Sequence, residues 1–123
     1  MQTDPITWAC ERIEARGFDP LTAPEVDRTV MVVVTAQGLI DNGGFAYLFD
    51  PGFAVKPDWN WFVTAYRAIG ALETADACVQ AIELWRQIGD TADFDALDAV
   101  AWQRSASNYD WLATWIKSHR CGL

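Results

Sequence analysis

Residues 25 to 49, EVDRTVMVVVTAQGLIDNGGFAYLF, constrain the fold of this chain more than any other stretch. The run Val30-Met31-Val32-Val33-Val34 has the β-branched composition of a buried strand. Asn42-Gly43 then has the form of a hairpin turn, with FAYLF as the returning strand. A helix accounts for the same residues. Pro24-Glu25 is a helix opener, the segment is long for a strand, and Val26, Val30, Val33 and Ile40 share one helical face. The residues admit either reading, and the two lead to different folds.

The flanking segments are helical in character. Asp4 can cap a first helix, Pro5 suits its first position, and Gly17 supplies a left-handed stop. Between them Ile6, Ala9, Cys10 and Ile13 form an apolar stripe. A turn-rich connector, FDPLTAP, leads to Pro24. After Pro51-Gly52 and Lys56-Pro57, Asp58 can cap WNWFVTAYRAI, which Gly70 ends. The segment from Leu72 to Ile88 stops at Gly89, and Asp90 or Asp93 caps FDALDAVAWQR. Ser107 with Asp110 makes a capping-box-like start for the last helix. No repeat, low-complexity tract or long linker divides residues 1–123, so the expectation is one compact domain.

The composition, 51% hydrophobic and 21% charged, excludes a disordered chain. Seven Trp, six Phe and three Tyr are more rings than a core of this size hides completely. Some are expected at an interface, most simply that of a homodimer, with Trp111 and Trp115 as first candidates. A formal net charge of −8 repels nucleic acid phosphates and attracts basic protein surfaces. Cys10, Cys78 and Cys121 lack a CxxC pair, and with His119 they offer no metal-ligand spacing. The start MQTDPITW has no signal-peptide pattern, and VMVVV is too short to span a membrane. A cytoplasmic protein with no metal, no cofactor and no membrane contact is expected.

The run TAQGLIDNGGFAYLF, followed by AYRAIGALETADACVQAI, resembles a family of small acidic bacterial proteins catalogued as a domain of unknown function, whose characterised member is a DNA mimic. Asn42, Gly43, Gly44 and Phe45 match that family's NGGF core. Phe49, Ala68, Ile69, Gly70 and Ala71 match the family's core as well, and Ala75, Ala77 and Ala81 fit the helix that follows. The likeness covers roughly residues 25 to 85. Leu39, Tyr47 and Asp50-Pro51 depart from the family's usual glutamate, glutamine and asparagine. The resemblance implies an all-α fold of about six helices and a dimer. It also turns residues 25 to 41 into a helix, with NGGF as its C-terminal joint. Gly43 or Gly44 is then left-handed, Phe45 folds back onto the helix, and the Asn42 amide can meet freed carbonyls.

Little in the chain has the pattern of catalysis. His119 stands at a helix end, Cys121 near the terminus, and no phosphate loop or nucleophile elbow is present. The charge distribution is more informative. Glu73, Asp76, Glu83, Asp90, Asp93, Asp95 and Asp98 face a single base, Arg86, within residues 73 to 98. Carboxylates one helical turn apart lie about 5–6 Å from each other, a separation comparable with neighbouring phosphates on one strand. Such a stripe is either a solvated face or a partner surface. As a partner surface it fits a basic protein such as a transcription regulator or a nuclease, and by resemblance a DNA mimic. An immunity-type inhibitor of a basic toxin would use the same charges. A ligand-binding or enzymatic domain would instead use the aromatic turn Phe45-Tyr47-Phe49 with Trp59 and Trp61.

Overall fold

The computed structural model describes residues 4–17, 22–49 and 58–119. Among these residues the fold is all helical. The α-helices are α1 (Pro5–Arg16), α2 (Glu25–Gly43), α3 (Asn60–Ala68), α4 (Leu72–Ile88), α5 (Asp95–Gln103) and α6 (Ser105–His119). Short 3-10 turns cover Phe45–Phe49 and Gly89–Thr91. The connector 18–21, the loop 50–57 and Cys121 lie outside the described residues.

The valine run is helical because α2 is the central element. It packs against α1, α3, α5, α6 and the turn Phe45–Phe49. Val30, Val32, Val33, Ala36 and Ile40 are buried together in the core, and Met31, Val34 and Leu39 pack against it from the sides. Helix propensities differ by only ~0.7 kcal/mol among ordinary residues, whereas burying one Val or Ile is worth roughly 1.5–3 kcal/mol. Packing on several sides therefore outweighs the β preference of the run. Asp27, also buried in α2, accepts a 3.2 Å ion-pair contact from Arg12 of α1.

Most of the helix ends follow their local signals. The Asp4 carboxylate accepts from the backbone N–H groups of Ile6 and Thr7, and Gly17 closes α1 at φ 66°. Asp58 accepts from Asn60 N at the start of α3, and Asp93 accepts from Asp95 N at the start of α5. The last helix is different: it begins at Ser105, not at a Ser107–Asp110 box. Arg104 keeps a right-handed conformation, so hydrogen bonds from Arg104 N to Val100 O and from Asn108 N to Arg104 O carry the backbone from α5 into α6. With those amides satisfied, the start of α6 needs no side-chain cap.

Four helices meet at a buried polar cluster that has no counterpart in the apolar periodicity. Gln37 of α2, Tyr66 of α3, Thr74 of α4 and Asn108 of α6 are all fully buried. The Gln37 carbonyl oxygen accepts from Tyr66 Oη at 3.0 Å and from Asn108 Nδ2 at 2.8 Å. Asn108 Nδ2 also donates to Thr74 Oγ1 at 2.9 Å. At the other end of its amide, Gln37 Nε2 donates to Asp41, whose second oxygen accepts from Ser105. Hydrogen bonds between buried polar groups tolerate little displacement, so the cluster fixes the relative rotation of these helices.

Candidate functional site: the end of the central helix and the acidic face

The NGGF stretch is the joint between α2 and the aromatic turn. Gly44 N donates to Ile40 O at 2.7 Å, closing the helix. Gly44 itself takes φ 79° and ψ −170°, a region essentially reserved for glycine. Gly43 remains helical. The exposed Asn42 is not the group that caps this end, because Gly44 N–H and the indole of Trp102 serve Ile40 O.

Beyond Gly44 the chain turns inward. Phe45 is fully buried and lies 6.4 Å from Phe94. Phe49 stacks on Trp85 at 5.0 Å and meets the edge of Trp59 at 4.9 Å. The rings of the aromatic turn thus close on one another and on α4, with Tyr47 alone of the three directed outward. Trp61 is half-buried under the guanidinium of Arg28, 4.8 Å from its ring centre.

Asp98 departs from its expected place. The sequence puts it in the acidic stripe, yet it is only 8% exposed. Its carboxylate accepts from Phe45 N at 2.7 Å and lies against Gly44, where a Cβ would enter it. Phe94, Asp98 and Ala101 form the buried stripe of α5, so helical spacing carries Asp98 under the joint. That stripe was a signal present in the sequence. Burial raises the Asp98 pKa, the Phe45 N–H bond opposes the rise, and the charges of Asp95 and Asp93 add to it.

The other acids sort differently. Glu73, Asp76 and Glu83 are exposed on α4 together with Gln80 and Gln87, while Ala75, Cys78 and Ile82 are buried opposite them. Asp93 and Asp95 are exposed where α5 begins. The side chain of Asp90 lies outside the described ones. Glu73 is not available as a free charge, because Arg104 contacts both its oxygens, at 2.8 and 3.1 Å. Asp76, Glu83, Asp93 and Asp95 form no ion pair with a described lysine or arginine.

Other reactive groups are quiet. The Cys78 thiol is buried, which pushes its pKa up to about 12 and leaves it protonated and inert. His119 shares the last turn of α6 with Trp115, its Nδ1 2.8 Å from the Trp115 carbonyl. No group of three His, Cys, Asp or Glu among the described residues is placed to hold a metal ion. None of the described helices is long and apolar enough to cross a membrane.

Comparison with known proteins places this arrangement in a family. No curated protein and no solved structure matches the chain. The match to the family described as DMP19-like protein spans residues 22–119, from just before α2 to the end of α6, and the chain belongs to that family.

Proposed function

We propose that this protein is a non-enzymatic DNA mimic that occupies the DNA-binding surface of a basic protein. The observation that carries the reading is the set of exposed carboxylates that pair with no described lysine or arginine, Asp76, Glu83, Asp93 and Asp95, in a member of the DMP19-like family. An arginine or lysine that ordinarily contacts phosphate meets a carboxylate with the same hydrogen-bonding geometry. The formal charge of −8 draws such a partner in and discourages nucleic acid itself. Glu73 contributes less to this surface, since a partner would first have to displace Arg104.

The test uses the chain as bait in its native host, followed by competition between the chain and DNA for the captured protein. Mimicry requires that the two exclude each other. Substituting Asp76→Asn, Glu83→Gln and Asp95→Asn together should weaken binding about tenfold or more and flatten its salt dependence. Folding should stay within about 0.5 kcal/mol per exposed site, as judged by urea melts. Unchanged binding by the folded triple variant would show these residues to be a solvated face.

The reading includes a homodimer, supported by the exposed ring of Trp111 and by Ile88 and Leu72. Sedimentation at micromolar concentration should give twice the 13.7 kDa chain mass. A species of chain mass alone would remove the dimer from the proposal.

A further inference from the structure

Tyr47 and Trp102 come from different elements and remain 47% and 49% exposed, yet both rest on the last turn of α2. Trp102 is held there by its indole N–H, which donates to Ile40 O at 2.6 Å. The Tyr47 ring lies against Gly43, in the space a Cβ would occupy, and its backbone N–H donates to Gly44 O at 3.1 Å. Two aromatic faces therefore stand exposed at one helix end, that of Trp102 held by its hydrogen bond.

That end is negative. The carbonyls of a helix C-terminus carry about half an elementary charge, and a lysine or arginine commonly lies nearby to offset it. The last turn of α2 has no basic residue. It carries the exposed Asp41 instead, and the carboxylate of Asp98 lies against Gly44. Asp95 and Asp98 precede Trp102 on the same side of α5, at helical spacings of three and four. Aromatic faces beside carboxylates that pair with no described lysine or arginine favour one kind of occupant, a cation with a flat, weakly hydrated head.

We infer that Tyr47 and Trp102, at the end of α2, form the anchor for an arginine side chain of a basic protein partner. The inference rests on the proposed function for the existence of such a partner and adds where its arginine is seated. Long-range attraction belongs to Asp76, Glu83, Asp93 and Asp95. Close contact belongs to the two rings, because aromatic pockets concentrate binding energy more than rim charges do.

A hexa-arginine peptide serves as the probe, titrated at low salt into the full chain and into three variants whose folding is checked by thermal melts. Binding should shift the Trp102 indole N–H signal and the Tyr47 ring signals in nuclear magnetic resonance spectra. Tyr47→Phe keeps the aromatic face and should bind like the parent. Tyr47→Leu keeps an apolar group but loses that face, and should bind about three- to tenfold more weakly. Equal affinities for these two variants would overturn the anchor. So would shifts confined to the amides around Asp76 and Glu83, a result that leaves the acidic-face reading standing. The third variant, Asp76→Asn with Glu83→Gln, separates the two ideas. If it binds unchanged while Tyr47→Leu does not, the acidic-face reading fails and the anchor holds. Absence of any binding to the peptide overturns both.

Discussion

Replacing Gly44 with alanine is expected to destabilise the protein by about 3 kcal/mol, measured by urea or thermal unfolding. The backbone at φ 79° and ψ −170° is strained for any residue with a Cβ, by roughly 1–3 kcal/mol. That Cβ would also enter the Asp98 carboxylate. Moving the carboxylate leaves the buried Phe45 N–H without its acceptor, a further penalty of about 1–3 kcal/mol. Gly43→Ala is the control. The atoms nearest its Cβ belong to the Tyr47 ring, which is half-exposed and able to swing aside, and alanine is better than glycine within a helix by ~1 kcal/mol. A near-neutral Gly43→Ala beside a damaging Gly44→Ala would locate the joint at Gly44. Equal losses would contradict this account.

Asp98→Asn tests the same joint through pH. The amide oxygen still accepts from Phe45 N, but the side chain no longer ionises. In the parent protein the folded-state pKa of Asp98 is raised, chiefly by burial, so the folded state holds this proton more tightly than the unfolded chain does. Its contribution is fully present below the ordinary aspartate pKa of about 3.9 and is lost as pH rises through the folded value. Asp98→Asn should therefore reduce the decline in stability over that window, read from melts across pH.

The second large effect is expected at Gln37. Gln37→Ala should cost about 3–4 kcal/mol, since it opens a cavity and strips acceptors from Tyr66 and Asn108 at once. Tyr66→Phe removes a single hydrogen bond and should cost about 1 kcal/mol. Combining the two should cost less than their sum, because the Tyr66 hydroxyl has nothing to lose once Gln37 is gone. Burial raises the Tyr66 pKa well above its ordinary value, so the hydroxyl stays a donor across the working pH range. Strict additivity in the unfolding free energies would mean that these side chains do not act as one cluster.

Local sequence by itself determined most of the helix limits. Asp4, Gly17, Asp58, Gly70, Gly89 and Asp93 act within one turn of themselves, through caps and backbone conformation that neighbouring residues set. The same locality made Glu73, Asp76 and Glu83 readable as the outer face of α4, since a helical period separates its two sides. The valine run was different. Its period suited a helix and its composition a strand, and only the elements packed around α2 decide between them. Tertiary structure likewise decided what each acid does. Arg104, from the far end of α5, takes up Glu73, and the return of the chain at Phe45 brings a backbone N–H to Asp98. The Gln37–Tyr66–Thr74–Asn108 cluster draws one residue from each of four helices, up to 71 positions apart in the chain. A hydrogen bond of that span depends on how whole helices are placed, and a short window of sequence holds only one of its partners.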